Sequence, residues 1–313
     1  MTRHLRSLLD LSPAETARIV DLAAEVKANP GGHASALAGK SVAMIFAKQS
    51  TRTRISFEVG LHQLGAQPVV LSTSGGTGMQ MGRGETVADT AKVLSRFVHA
   101  IVIRTFGQDQ VDGLAEHGSI PVVNALTDLY HPCQALADAL TIREHLGSTQ
   151  GKKLVYVGAG NNVAHSLMLL GPRTGMEVVV ACPDSLRPNA TVLDRARAAA
   201  SDAGTRVAVE TNLLEAVKGA DVLYTDTWVS MGEEEEAKAL MKTLAGYTIT
   251  EDVMKATGKD GAIFMHCLPA HRGDEVTAEV MDGPRSVVFD EAENRLHAQK
   301  ALMLLLMGGA SWS

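Results

Sequence analysis

The chain has 313 residues, 45% of them hydrophobic and 20% charged, which suits a globular, soluble protein long enough for two ordinary domains. The net charge of −6 argues against nucleic acid as a partner and requires any anion site to be a local cluster. Three cysteines, Cys133, Cys182 and Cys267, are too few for a disulfide framework and fit a reducing, cytoplasmic setting. No adequate apolar stretch follows Arg3 and Arg6 to make a signal peptide, and the late apolar run 301–307 is too short to span a bilayer.

In chain order, short apolar runs alternate with helical patterns. Strands are expected at 41–47, 68–71, 100–105 and 120–123, then at 153–157, 177–181, 206–209, 222–225, 262–266 and 286–289. Strands alternating with helices imply an α/β protein of two domains, each a parallel sheet flanked by helices. A helix over 134–146, ended by the breaker-rich segment 147–151, reads as the bridge between them. A last helix over 292–307 packs its apolar face back on a domain. The expected division is 1–146, 147–291 and a C-terminal helical segment 292–313.

The first strand runs into Ser50-Thr51-Arg52-Thr53-Arg54. That order predicts a strand, a short turn and a helix starting near Arg52. The unpaired N–H groups and positive dipole end of such a helix make an anion site. The hydroxyls add donors and Arg52 adds a bidentate fork, whereas Arg54 points elsewhere and suits a structural pairing. No Walker-type loop is present. Segment 72–84 holds five glycines in thirteen residues with Gln80 among them, and reads as a surface loop or as one that closes over a ligand.

Arg104 ends a strand, where parallel sheets bind ligands, although a strand-end salt bridge reads equally well. His131-Pro132-Cys133-Gln134 opens the bridging helix, with His131 and Gln134 on one face and both able to donate hydrogen bonds to an oxygen. Gly158-Ala159-Gly160-Asn161-Asn162 imitates the start of a dinucleotide fingerprint but has Val163 at the third glycine position. Asn162 can instead orient a polar substrate. Asp226, after the strand at 222–225, suits an ammonium group. His266 and Cys267 end another strand, and strand alternation places them on opposite sides, against a metal cluster with His271 and Asp274.

Taken together these motifs resemble the aspartate/ornithine carbamoyltransferase family over nearly the whole chain. Residues 50–54 look like its carbamoyl-phosphate signature and 131–134 like its His-Pro-x-Gln signature. Asp226-x-x-x-Ser230-Met231-Gly232 with His266-Cys267-Leu268-Pro269, and Asn162 as well, are similar to the ornithine branch. One departure is Ala159, where the family usually has Asp before Gly-Asn-Asn.

The resemblance implies transfer of a carbamoyl group from carbamoyl phosphate to the δ-amine of L-ornithine, without metal or cofactor. Another amine, such as putrescine or an N-acylornithine, is the alternative. Ser50, Thr51, Arg52, Thr53 and Gln80 would grip the phosphate, with Gln80 reaching in from an adjacent subunit of a homotrimer or a multiple of trimers. Arg104, His131 and Thr53 would face the carbonyl oxygen. Gln134 and the carbonyls of Cys267 and Leu268 would hold the carbamoyl NH₂, and Arg295 would complete the oxygen contacts. Asn162, Asp226, Ser230 and Met231 would bind ornithine, with Asp226 and Cys267 easing loss of the δ-proton. An NAD-dependent dehydrogenase would leave most of these motifs idle, and a non-catalytic subunit would leave gaps in the set.

Overall fold

The computed structural model describes residues 2–48, 50–72, 84–229 and 234–312. The chain forms two compact units, one running to Leu140 and resuming at Asn294, the other holding Thr141–Glu293.

The first unit begins with α1 (Pro13–Ala28), started by a capping box in which Ser12 and Glu15 satisfy each other's backbone N–H groups and Pro13 takes the first turn. There follow β1 (Ser41–Phe46), α2 (Thr51–Gln63), β2 (Gln67–Ser72), α3 (Val87–Phe97), β3 (Ala100–Arg104), α4 (Gln108–His117), β4 (Val122–Leu126) and α5 (Pro132–Leu146). The described strands form one parallel sheet in the order β2-β1-β3-β4. From Val42 to Phe46 β1 is buried throughout, as expected for a parallel strand covered on both faces. Ala43, Ile45, Ile101 and Ile103 pack there with Ala91 of α3 and with Val111 and Leu114 of α4. Chain order turns back across the sheet between β1 and β3, so the segments leaving those two strands diverge and open a crevice at their C-terminal ends.

The second unit contains β5 (Lys153–Val157), α6 (Asn162–Thr174), β6 (Glu177–Ala181), α7 (Ala190–Asp202), β7 (Val207–Glu210), α8 (Leu213–Val217), β8 (Val222–Thr225), α9 (Glu234–Leu244), α10 (Glu251–Ala256), β9 (Ile263–His266), α11 (Ala278–Met281) and the start of α12 (Val288–Leu306). Its described strands are parallel in the order β7-β6-β5-β8-β9, with the reversal between β5 and β8. Val155, Val157, Leu223 and Phe264 form the centre of its core, with Val217, Met254 and Val280 packed around them.

From Asn294 onward α12 belongs to the first unit. Lys27 Nζ donates to Asn294 Oδ1 at 2.8 Å, Lys300 Nζ to Gln63 Oε1 at 2.9 Å, and Arg18 Nε to the Ser311 carbonyl at 3.1 Å. Among the described residues no helix is long and apolar enough to cross a membrane.

Three sequence expectations shift. The division between units falls inside α5 and α12, after Leu140 and before Asn294, rather than at 146/147 and 291/292. The last expected strand, 286–289, is absent: Ser286 makes only an isolated bridge to Phe264, and α12 begins at Val288. Asp290 and Glu291 in that first turn favour a helix start through the helix dipole. Finally, β4 lies at Val122–Leu126 rather than 120–123. The polar Asn124 concealed its course; its buried amide donates to the Arg6 carbonyl at 2.8 Å.

Candidate active site

In the first unit the side chains gather where β1, β3 and α5 meet the crevice. Ser50 caps α2, its hydroxyl accepting from the Thr53 N–H at 3.2 Å, so α2 starts at Thr51 directly after β1. Thr53 is buried, and its Oγ1 accepts from Arg295 Nη2 at 3.0 Å and from Arg104 Nη1 at 3.5 Å. The second fork of Arg295 donates to Gln134 Oε1 at 2.7 Å, and Gln134 Nε2 donates to Asp138 Oδ1 at 2.9 Å. That chain fixes which end of the Gln134 amide is oxygen. Arg295 is only 3% exposed, so it is not a surface helix charge. Arg54 turns outward and pairs with Glu58 at 3.2 Å.

His131 is held at the mouth of α5 by a tight turn, in which Thr127 N–H donates to the Tyr130 carbonyl at 2.9 Å and Tyr130 N–H to Thr127 Oγ1 at 3.1 Å. Burial lowers its pKa well below the ordinary value, and the charges of Arg295, Arg104 and Arg52 lower it further. The ring is therefore neutral at physiological pH and can offer one N–H. Three guanidinium groups around a buried neutral imidazole call for an anion. Cys133 beside it is inert: burial raises its thiol pKa to about 12, and its Sγ donates to the Asn124 carbonyl.

In the second unit the corresponding crevice lies between β5 and β8. Close passage of the loop after β5 requires Gly160, because a Cβ there would sit 2.2 Å from Pro188 N. Asn161 caps α6 through Oδ1, which accepts from the Val163 and Ala164 N–H groups, while its Nδ2 donates to Asp226 Oδ2 at 2.9 Å. Asp226 Oδ1 accepts from the Thr227 N–H at 2.8 Å and from Cys267 Sγ at 2.9 Å. Tyr156 is fully buried, with its hydroxyl on Asn161 Oδ1 at 3.1 Å. Burial first, then the charges of Asp226 and Cys267, raise its pKa well above normal. Asn162, half-buried, opens α6.

Residues 266–268 correct one expectation. The strand stops at His266, so alternation does not carry to Cys267, and ligand atoms of Asp226, His266 and Cys267 lie within 4.8 Å of one another. The thiol is engaged with Asp226, and the ring of His266 with Leu268 and Glu275. Leu268 has φ +59°, a left-handed conformation costing a branched residue about 1–2 kcal/mol. Gln80, Ser230 and Met231 lie outside the described residues.

The first unit thus gathers Ser50, Thr51, Arg52, Thr53, Arg104, His131, Gln134 and Arg295. The second gathers Asn162, Asp226, Cys267 and Leu268. Sequence reasoning passed over Asp138, Asn161, Thr227 and Glu275. The cap position after a Gly-x-Gly turn was the available signal for Asn161; Glu275 offered none, being one acid among several near the chain's end.

Residues 3–144 match the family model for the aspartate/ornithine carbamoyltransferase carbamoyl-P binding domain, and residues 150–306 match that for the Asp/Orn binding domain. The chain belongs to the aspartate/ornithine carbamoyltransferase family. It is 51% identical over 310 residues to an ornithine carbamoyltransferase of Acidothermus cellulolyticus, covering 99% of this chain and 98% of that one. Over 267 residues it is 55% identical to the enzyme of that name from Methanobrevibacter smithii, covering 85% and 87%. The solved ornithine carbamoyltransferase of Pyrococcus furiosus superposes with a TM-score of 0.94 at 47% identity, covering 99% of this chain and 98% of that chain. The carbamoyl-P model covers the residues of the arginine-rich crevice except Arg295, and the Asp/Orn model covers Arg295 and the crevice at Asp226.

Proposed function

We propose that the protein transfers the carbamoyl group of carbamoyl phosphate to the δ-amine of L-ornithine, giving L-citrulline and phosphate. The observation that carries the choice of amine is the Asp226–Cys267 pair, an acceptor-rich carboxylate with a thiol 2.9 Å away at the end of β8. It suits an ammonium group that must shed a proton before it attacks.

Ser50, Thr51, Arg52 and Thr53 bind the phosphate at the start of α2, where helix N–H groups and the guanidinium neutralise its charge. As the δ-nitrogen adds to the carbonyl carbon, negative charge builds on the carbonyl oxygen. Arg104, the neutral His131 and Thr53 donate to it, and loss of one such donor costs about a hundredfold or more in rate. Gln134 accepts from the carbamoyl NH₂, as do the carbonyls of Cys267 and Leu268, and Arg295 holds Gln134 and Thr53 in place. The tetrahedral intermediate collapses with cleavage of the bond from carbon to the bridging phosphate oxygen, and phosphate leaves.

Free ornithine has a lysine-like δ-ammonium with a pKa near ~10. Asp226 and Cys267 orient it and ease loss of the proton. Asn162, Ser230 and Met231 hold the α-amino and α-carboxyl groups. The chain works in the cytoplasm as a homotrimer or a multiple of it, with Gln80 of one subunit completing the phosphate site of the next. Exposed Ile55 and Val59 on α2 and Val69 on the edge strand β2 supply apolar surface for such contacts, and the segment bearing Gln80 follows β2 in the chain.

The test is phosphate release and formation of the matching ureido product from carbamoyl phosphate, with ornithine, putrescine, N-acetylornithine, lysine and aspartate in parallel. Strong turnover with ornithine alone is expected. Turnover only with another amine overturns the assignment at Asp226.

A further inference from the structure

A closed ring of hydrogen bonds lies behind the Asp226–Cys267 pair. Leu268 N–H donates to His266 Nδ1 at 2.8 Å. That ring nitrogen must be unprotonated to accept, so the proton sits on Nε2, which faces Glu275 Oε1 at 3.3 Å. The same Glu275 oxygen accepts from the His271 N–H. His271 Nδ1 lies 3.1 Å from Thr227 Oγ1, and the Thr227 N–H donates to Asp226 Oδ1, which also accepts from Cys267 Sγ. Cys267 is bonded to Leu268, and the ring closes.

Glu275 is the hinge pin of this ring. It is fully buried, as is His266. Among the described residues its only ion-pair partners are the histidines 266 and 271, and its second oxygen has no hydrogen-bond partner. Burying a carboxylate with no Lys or Arg beside it is costly, and a hydrophobic residue would fill the place more cheaply. His266 is anchored independently as well, through its backbone N–H on Glu291 Oε2 at 2.8 Å; Glu291 Oε1 accepts from the Tyr224 hydroxyl at 2.9 Å. In the same ring Leu268 is kept in a left-handed conformation.

We propose that Glu275, acting through His266 and His271, is a positioning residue that sets the Cys267–Leu268 segment against Asp226, and so aligns the thiol, the Leu268 carbonyl and the carboxylate for the amine. This rests on the proposed reaction for its kinetic consequences, but the geometry is testable without turnover.

The readout is alkylation of Cys267 by iodoacetamide at pH 8. Burial raises the Cys133 and Cys182 thiols to pKa values of about 12 and about 11, so both stay silent in the folded protein. Glu275→Ala is expected to alkylate about tenfold faster and to lose about thirtyfold in kcat/KM for ornithine, with phosphate binding unchanged. Glu275→Gln keeps the accepting oxygen and is expected within about threefold of the parent on both readouts. If Glu275→Ala does not fold, His271→Ala, whose side chain is 53% exposed, carries the test: it breaks the Thr227 link and is expected to raise KM for ornithine about threefold. Parental alkylation and kcat/KM in Glu275→Ala, or in His271→Ala where that variant stands in, overturn the proposal. So does damage in Glu275→Gln equal to that in Glu275→Ala. Absence of ornithine turnover in the parent protein would instead count against the proposed reaction, while the alkylation rates still decide the positioning role.

Discussion

His131 carries the clearest pH signature of any single residue. Its folded pKa is depressed by burial and by Arg295, Arg104 and Arg52, so below about pH 6.5 the unfolded chain takes up a proton that the folded one refuses. Stability from this group is therefore complete above the unfolded pKa and falls as pH drops through 6.5 towards the folded value, at up to about 1.4 kcal/mol per pH unit. His131→Gln should flatten that part of the acid limb in chemical denaturation from pH 7 to 5. Equal slopes in the two proteins would show that the imidazole is not held neutral. Cys267 makes a different statement. Cys267→Ser keeps a donor towards Asp226 but changes its acidity, so kcat with ornithine should drop about tenfold or its pH profile shift, with carbamoyl-phosphate affinity retained. A trapped carbamoyl-cysteine in the parent protein would replace this non-covalent role by a covalent one.

At the scale of elements, two helix starts do the positioning. Ser50 on α2 and Asn161 on α6 each cap a helix that begins where a central strand of a parallel sheet ends. Asn161 has a second task, since the amide nitrogen left over from capping holds Asp226. Asn161→Ala should cost about 1 kcal/mol of stability as a lost cap. Asn161→Asp keeps a capping oxygen but sets a like charge against Asp226, so thermal stability should stay closer to the parent while KM for ornithine rises. Unchanged KM in both variants would remove Asn161 from the account of the site. The helix starts were legible because caps and turns have local chemistry: from residue order alone Ser50 to Arg54 could be read as a strand-to-helix junction and His131 to Gln134 as a helix start. The strand expected at 286–289 shows the limit of such reading. Val287, Val288 and Phe289 have strand-like side chains, and only tertiary pairing decides between a sheet edge and the first turn of α12.

At the scale of the whole molecule, the doubly wound pattern was visible because each parallel strand buries both faces and so reads as an unbroken apolar run, as in residues 42–46 and 154–157. Long-range partners were not visible. Arg295 lies far along the chain from Thr53 and Gln134, and only folding brings α12 onto the first unit, where both forks of its guanidinium are used. Glu275 and Asp138 were missed for the same reason: a lone acid carries no period and no motif until its partners are known. The proposed trimer extends this reasoning beyond one chain. If Gln80 completes a neighbour's phosphate site, Arg52→Ala and Gln80→Ala homotrimers are each inactive for different reasons: one lacks the cation of its own site, the other lacks the amide it lends. Exchange of subunits then creates some sites with a parental Arg52 facing a parental Gln80. Mixing the two inactive proteins under conditions that dissociate and re-form the trimer should recover a fraction of citrulline synthesis, and the fraction should follow the mixing ratio. Verified exchange with no recovered activity would place Gln80 in its own subunit's site or outside the reaction altogether.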